Sequence, residues 1–314
     1  MRGPAGVGRR LGKSLRRALK QFYLAIPLKR QVFSAMRRFY VPSERVWRYL
    51  YFRGPFDVRA GEGAFRVMHY GFQVETSIFW RGLTGGLEGQ SLSLWLGLCA
   101  EARVVLDIGA NTGVYALAAK AVNRKARVVA FEPVARVFEK LVANNRLNAF
   151  DIECRNEAVS NYDGEGCVFD LPIEHIYSVT LNRDMHDQSL PSVKRSVDVV
   201  KLATIIERDG LRPDLMKLDV ESHEPEVIEG LGPHLNRLRP TMIVEVWHSE
   251  EHGDLRIGPR IEALLKGNGY SYYRIDEASG PVLEDHINPS GLGYSNYLIC
   301  VPEVARRIGI AASP

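Results

Sequence analysis

A strand followed by a glycine-rich turn constrains this chain more than any other part of its sequence. The apolar run 104–108 is interrupted only by Asp107, and the turn Gly109-Ala110-Asn111-Thr112-Gly113 follows it directly. A second apolar run, 128–131, ends at Glu132. A strand, a glycine turn, a helix and a second strand ending in an acid are typical of a nucleotide site in an open α/β sheet, where the acid binds ribose hydroxyls.

The spacing of this turn indicates which nucleotide it suits. A dinucleotide turn reads G-x-G-x-x-G, because its middle glycine lets the backbone approach a pyrophosphate. Here Ala110 and Asn111 stand where that glycine belongs, and Asp107 precedes the turn. A carboxylate attracts a cation and repels a pyrophosphate. The sequence therefore predicts S-adenosylmethionine, which carries a sulfonium and no phosphate, and disfavours an NAD-dependent oxidoreductase. The alternative is an ordinary strand-to-helix turn.

Apolar runs alternate with helical patterns through the rest of the chain. The predicted strands are 103–108, 127–132, 152–159, 214–219 and 241–247, and the predicted helices are 87–98, 113–122, 134–147, 225–231 and 257–267. Such alternation predicts an α/β fold with a doubly wound, mostly parallel sheet.

Three other segments carry separate expectations. Alternation within 54–85 predicts a hairpin or a pair of strands that includes Phe72 and Val74. The runs 271–275 and 295–301 have no helix between them and predict an antiparallel edge pair. The turn-rich stretch 161–200 reads as an irregular insertion that covers the active site and selects the acceptor.

Charge is distributed unevenly and suggests four segments. Residues 1–50 contain thirteen Lys and Arg against one acid, Glu44, so they carry +12 while the remainder carries −8. We expect a basic helical extension at 1–50, a connecting segment at 51–87, a catalytic domain at 88–303 and a tail at 304–314. An acidic body argues against a nucleic-acid substrate.

The basic extension has three interpretations. Residues 9–27 have helical periodicity, with apolar side chains on one face, basic ones on the other, and Pro27 at the end. Such a helix can lie on an anionic membrane surface, pack on the body or a partner, or act as a targeting peptide. No apolar run is long enough to span a bilayer, and 22–28 is too short for a signal peptide. We therefore expect a cytoplasmic protein, peripheral at the membrane if the first interpretation holds.

Cysteine spacing excludes two other classes of protein. The four cysteines are scattered, without a C-x-x-C pair or a histidine at metal-ligand spacing. The sequence therefore predicts reduced cysteines, with neither a disulfide framework nor a zinc site.

Acidic residues at further predicted strand ends add to the site. Asp219 and Glu221 follow one strand and Glu245 closes the next, and the carboxyl ends of neighbouring strands meet in one crevice. Oxygen ligands of this kind also suit Mg²⁺, although no dedicated metal cluster is evident. The structural alternative is helix capping by Ser222 or Asp219, with a salt bridge from Asp219 to Lys217.

Methyl transfer to a hydroxyl also needs a general base, which typically contributes 10²–10⁴-fold. His223 and His248 both fall on loops at this edge of the predicted sheet. We favour His248, because it follows Glu245, which can orient it. The predicted catalytic residues are therefore His248, Asp219 and Glu245.

With these residues in view, the chain resembles the FkbM family of S-adenosylmethionine-dependent methyltransferases over about residues 88–300. The matching segments occur in the family's order: LDIGANTGVYAL (106–117), FEPVARVFEKLVANN (131–145), NEAVSNYDG (156–164), LMKLDVESHEPEVIEGL (215–231) and PTMIVEVWH (240–248). The K-x-D-V-E-x-x-E run is the most specific of these.

The resemblance implies a Rossmann-like fold and O-methylation, commonly of sugar hydroxyls in glycans, glycolipids or natural products. It places the loop from Gly109 to Gly113, with Asp107, around the methionyl part of the cofactor, and Glu132 on the ribose. It places Glu157 and Ala158 near the adenine and Asp219 at the reacting centre. Two positions depart from the family pattern: Ser222 replaces a usual Gly, and Ala203 replaces a usual Asp. A membrane-apposed scaffold that keeps the fold without turnover is the alternative function.

Overall fold

The computed structural model describes Tyr23 and residues 26–170, 193–247, 257–288 and 293–310. The chain forms two compact units, one of Met1–Val58 with Val67–Leu87 and one of Arg59–Arg66 with Glu88–Pro314. Of the predicted helix 9–27, only Tyr23 and residues 26–27 are described, so this helix stays a prediction.

Strands and helices alternate through most of the described chain. The strands are β1 (Gly54–Ala60), β2 (Gly63–His69), β3 (Val104–Ile108), β4 (Arg127–Phe131), β5 (Glu153–Arg155), β6 (Ala158–Ser160), β7 (Gly164–Asp170), β8 (Val193–Lys201), β9 (Leu215–Leu218), β10 (Thr241–Trp247), β11 (Ser271–Asp276), β12 (Gly280–Glu284) and β13 (Tyr294–Cys300). The helices are α1 (Lys29–Met36), α2 (Glu44–Trp47), α3 (Gln73–Arg81), α4 (Gly89–Cys99), α5 (Val114–Val122), α6 (Ala135–Leu147), α7 (Leu202–Arg208), α8 (Glu224–Gly230), α9 (His234–Leu238), α10 (Ile257–Leu265) and α11 (Pro302–Arg307).

An eight-stranded sheet in the order β12-β11-β13-β10-β9-β3-β4-β5 forms the centre of the larger unit. Six strands run in one direction, and β12 and β13 oppose them. The predicted α/β fold with a doubly wound, mostly parallel sheet is confirmed. The chain leaves β3 toward β4 and β5 on one side and later returns to β9 and β10 on the other. A crevice therefore opens between the carboxyl ends of β3 and β9.

One face of this sheet is buried under an apolar layer. Leu106, Met216 and Val244 are fully buried on adjacent strands and belong to one hydrophobic cluster. Side chains from α7, α8 and α10 complete this cluster. On the opposite face, α5 packs against β3 and β4 and contacts α4. Alternate residues of the same strands therefore enter two different environments.

Four predicted elements differ from the structure, and two of them lie between residues 152 and 200. The predicted strand 152–159 is two strands, because Asn156 donates hydrogen bonds to the carbonyls of Glu132 and Pro133 where the chain leaves the main sheet. Within 161–200, β7 and β8 pair and form a second sheet with β6, so the described part of this stretch is regular. Its strands were missed because most of β8 is exposed and polar. Residues 171–192 lie outside the description.

The hairpin β1–β2 confirms the predicted strands near residues 54–69. Phe72 and Val74 do not extend it, because α3 begins there: Glu75 accepts a hydrogen bond from the Phe72 amide, and Thr76 donates one to the Phe72 carbonyl. The antiparallel pairing of β11 with β13 is also confirmed. These two strands are not an isolated edge pair, because β13 lies next to β10 and the unpredicted β12 forms the edge.

Candidate functional site

The glycine turn packs directly against the end of β9. Gly109 and Gly113 have φ angles of 82° and 91°, in the left-handed region that favours glycine. A Cβ on Gly109 would overlap the carbonyl oxygen of Asp219. Glycine at this position therefore lets the turn after β3 lie in direct backbone contact with the residue that follows β9.

Asp107 lies beneath the turn and is almost fully buried, with 1 % of its surface exposed. Its carboxylate accepts a hydrogen bond of 2.9 Å from the Ala116 amide in the first turn of α5. Burial raises the pKa of Asp107 to about 7. The side chain therefore anchors the helix that follows the turn. Asp107 is buried beneath the loop, so it would act on a bound cation through its charge and not by direct contact.

Glu132 connects the end of β4 to the glycine turn. Its carboxylate accepts hydrogen bonds from the amides of Asn111, at 3.0 Å, and Val134, at 2.9 Å. Burial raises its pKa to about 7. The position agrees with the sequence prediction of an acid beside the loop, and each carboxylate oxygen keeps a second lone pair for another donor.

A buried lysine is surrounded by acids on the face of the sheet opposite the apolar cluster. Lys217, on β9, is 1 % exposed, and its Nζ lies 3.5 Å from Oδ2 of Asp219. Burial alone lowers the pKa of this lysine, but Asp219, Glu245, Glu88 and Asp107 outweigh burial and raise it. One cation faces four acidic side chains, so ionisation of more than one of them gives the site a net negative charge, which favours a further cation.

Two other groups complete this cluster. Burial, followed by repulsion from Asp219, raises the pKa of Glu245 to about 9, so Glu245 holds a proton at neutral pH. Tyr115 donates a hydrogen bond of 2.7 Å to Glu88, and its ring centroid is 5.1 Å from the Lys217 Nζ. Sequence reasoning missed Glu88 and Tyr115, because each lies outside the strand ends that were searched.

The turn after Asp219 adopts an unusual backbone conformation. Glu221 and Ser222 have φ angles of 53° and 72°, which are strained for residues with a Cβ. The Glu224 carboxylate accepts hydrogen bonds from the amides of Val220 (3.1 Å) and Ser222 (3.3 Å) and holds this shape. Ser222, where the family usually has glycine, therefore occupies a position that favours glycine.

The alternative role predicted for these residues, helix capping together with a salt bridge to Lys217, is only partly present in the structure. The salt bridge between Lys217 and Asp219 is present. The N-terminus of α8 has no side-chain cap, and Ser222 Oγ is buried without a hydrogen-bond partner among the described residues. Helix capping therefore does not account for Ser222.

Of the two histidines proposed as general bases, His223 lies within the described residues. His223 Nε2 lies 2.9 Å from Ser160 Oγ, and Nδ1 lies 3.6 Å from Glu226, so both ring nitrogens already face protein groups. His248 lies outside the described residues and stays a prediction.

The remaining predicted site residues fall on the same edge of the main sheet or beside it. Ala110 and Thr112 are buried in the glycine turn. Glu157 precedes β6, which begins at the buried Ala158, and Ala203 is buried in the first turn of α7. Within the part of the chain that the structure describes, no three His, Cys, Asp or Glu side chains come together as a metal site requires.

The sheet and the site define a class of protein: a Rossmann-like, S-adenosylmethionine-dependent methyltransferase. The model of the Methyltransferase FkbM domain matches residues 107–272, more than half of the chain. The chain therefore belongs to the FkbM methyltransferase family, as the sequence motifs predicted.

Individual relatives are distant. The chain is 27% identical to methyltransferase sdnD of Sordaria araneosa over 197 residues, which cover 54% of this chain and 74% of that protein. It is 14% identical to the methyltransferase FkbM of Methylobacillus flagellatus, with a TM-score of 0.37 and coverage of 63% of this chain and 43% of that one. The chain thus spans less than half the length of that structure. An O-methyltransferase from Bacillus cereus, solved with SAH, gives 14% identity, a TM-score of 0.37 and coverage of 68% and 80%.

Proposed function

We propose that this methyltransferase acts on a hydroxyl oxygen, and that the hydroxyl belongs to a sugar in a glycan, glycolipid or natural product. The observation that carries the site assignment is the surplus of acidic side chains around Lys217, next to the glycine turn. A cationic donor relieves this surplus, whereas a pyrophosphate increases it. The sugar acceptor is the expectation that follows from the family's motifs.

The cofactor-binding residues that we propose lie along the turn and the next strand ends. They are Asp107, Gly109, Ala110, Asn111, Thr112, Gly113, Glu132, Glu157, Ala158 and Asp219. The close backbone approach at Gly109 and the carboxylate of Glu132 support this assignment, and Glu132 would accept hydrogen bonds from the ribose of such a cofactor. Bound S-adenosylmethionine supplies an electrophilic methyl group on a sulfonium sulfur.

The chain's own contribution is to position the acceptor and to remove one proton. A hydroxyl oxygen that gains a methyl group must lose its proton, and we assign this proton to His248. Asp219, about one-third exposed at the crevice, and Glu245 orient the hydroxyl and the base. Positioning of this kind supplies much of the rate of a transfer between two bound molecules.

The first experiment tests cofactor binding by calorimetry. Glu132→Gln removes one acceptor oxygen next to the Asn111 amide, and we expect the affinity for S-adenosylmethionine to fall by roughly tenfold to a hundredfold. Glu139→Gln, an exposed site on α6, is the matched control and should leave affinity unchanged. Absence of binding by the wild-type protein would refute the proposed function.

A second experiment separates turnover from the scaffold alternative. Full-length protein is incubated with methyl-labelled S-adenosylmethionine and a cell extract. Labelled glycan or glycolipid that disappears with His248→Ala supports methyl transfer and the proposed base. Cofactor binding without any labelled product favours a scaffold.

We also propose that the N-terminal segment contacts an anionic membrane surface. Among the described residues, fifteen large apolar side chains are exposed, and eight of them fall between Ile26 and Tyr49. The inner side of α1 packs within its own unit through Phe33 and Trp80, while Phe39, at 91 % exposed, projects outward. Exposed apolar side chains among many cations are typical of interfacial segments. Within the description, no helix has the length and apolar character to cross a bilayer.

Vesicle pelleting tests this contact. Full-length protein should pellet with phosphatidylserine-containing vesicles, less so at high salt and not with phosphatidylcholine alone. Phe39→Ser combined with Tyr40→Ser should weaken pelleting, and Tyr162→Ser, an exposed tyrosine elsewhere, should not. Equal pelleting by a protein lacking residues 1–50 would overturn the proposal.

A further inference from the structure

Two exposed aromatic rings lie side by side just beyond Glu245. Trp247 ends β10 and Tyr294 begins β13, and the two residues are directly opposite in the antiparallel ladder. Trp247 is 39 % exposed and Tyr294 is 60 % exposed, whereas Trp47, Trp80 and Trp95 are buried. Residues opposite each other on neighbouring strands project from the same face of a sheet, so the two rings are neighbours.

This pair of rings is on the same face of the sheet as the acidic cluster. Side chains alternate along β10, so Glu245 and Trp247 share a face, while Val244 and Val246 belong to the apolar cluster on the other. Glu245 pairs with Asn296 across the same ladder. The aromatic pair therefore extends the face that carries Lys217 and Glu245 outward toward solvent.

An unsatisfied buried carbonyl lies between the rings and the cluster. Asn296 is 5 % exposed, and its Oδ1 has no hydrogen-bond partner within the described chain. A buried acceptor without a donor is destabilising, and such groups in native structures call for an explanation. A hydroxyl of a bound molecule supplies the missing donor.

We propose that Trp247, Tyr294 and Asn296 form the acceptor subsite of this enzyme and that it binds a pyranose ring. The apolar C–H face of the ring stacks on the aromatic pair, and hydroxyls at its edge reach Asn296 and Glu245. This proposal rests on the proposed function and adds to it the residues that select the acceptor. A stacking surface with a few placed polar groups is the usual composition of a small-molecule site. A flat phenol also stacks, but it offers fewer hydroxyls to Asn296 and Glu245.

Saturation-transfer NMR tests the subsite on the full-length protein loaded with S-adenosylhomocysteine. The probes are the methyl α-glycosides of glucose, galactose, mannose and rhamnose, with catechol as the flat alternative. We expect at least one glycoside to bind with its C–H face toward the protein. Trp247→Ala and Tyr294→Ala should each weaken this binding about tenfold, and Trp247→Phe should restore most of it. Asn296→Leu should weaken binding without loss of the stacking signal.

Tyr162→Ala is the matched control, because Tyr162 is 43 % exposed but lies outside β10 and β13. Affinity for S-adenosylhomocysteine should stay unchanged in every variant, which separates this proposal from the cofactor assignment. Glycoside binding that is equal in the wild type and both alanine variants overturns the subsite. So does binding of catechol without any glycoside, or failure of every probe to bind a protein that holds S-adenosylhomocysteine. If the wild type does not bind S-adenosylhomocysteine, the proposed function fails and the subsite with it.

Discussion

The two faces of the main sheet are made by the same strands but are stabilised in different ways. On one face, Met216 and Val244 are fully buried among aliphatic side chains. On the other, their sequence neighbours Lys217 and Glu245 belong to a group of titratable side chains beside the crevice. A shift of one residue along a strand thus changes hydrophobic packing into an electrostatic site.

The stability of the polar face depends on the protonation of its side chains, whereas that of the apolar face does not. Burial raises the pKa of Asp107 to about 7 and that of Glu245 to about 9. The folded state therefore holds these protons more tightly than the unfolded chain. Their contribution to stability is full below the unfolded-chain pKa values of about 4, and it is lost as pH rises, up to about 7 for Asp107 and up to about 9 for Glu245.

The largest expected effect comes from removing the charge of Lys217 on the polar face, compared with shortening its neighbour Met216 on the apolar face. Lys217→Met removes the cation beside Asp107 and Asp219, so we expect it to cost about 4 kcal/mol of unfolding free energy at pH 8. At pH 5 Asp107 is protonated and depends less on this cation, so the cost should fall to about 1 kcal/mol. Urea denaturation at the two pH values measures both.

Met216→Ala is the control on the apolar face. It creates a cavity in a fully buried site and should cost about 3 kcal/mol at either pH. If the cost of Lys217→Met is as independent of pH as that of Met216→Ala, the electrostatic account of the polar face is wrong.

The second test concerns the backbone contact between Gly109 and the carbonyl of Asp219. Gly109→Ala adds a Cβ that meets the Asp219 carbonyl at a left-handed φ, and should cost about 3 kcal/mol and abolish cofactor binding. Gly210 has a similar φ of 60° with open space around it, so Gly210→Ala should cost about 1 kcal/mol through strain alone. Thermal unfolding and calorimetry compare them. Similar losses from both substitutions would show that strain, and not the close approach, makes Gly109 necessary.

Much of this architecture could be predicted because it is local in sequence. The turn at Gly109, the acid Glu132 and the strands around Lys217 each follow from short patterns, and the structure has them at the predicted edge. The partner of β10 could not be predicted, because β13 comes much later in the chain and returns between β10 and β11. The pairing of Trp247 with Tyr294 therefore could not be predicted from the sequence, and neither could the approach of Glu88 to Lys217. The prediction of one continuous strand at 152–159 was wrong, because the side chain of Asn156 turns the chain there.

The smallest expected effect concerns Ser222, where backbone strain and a buried unpaired hydroxyl can each lower stability. Ser222 has a left-handed φ of 72°, and glycine relieves that strain by about 1–2 kcal/mol while adding flexibility to the unfolded chain. Ser222→Gly should therefore stabilise the protein by about 0.5 kcal/mol, the difference between these two opposing effects. Ser222→Ala keeps the Cβ and removes only the unsatisfied hydroxyl, so it serves as the control. Equal gains in urea denaturation would assign the effect to the hydroxyl; a gain confined to Ser222→Gly assigns it to backbone strain in the turn after Asp219.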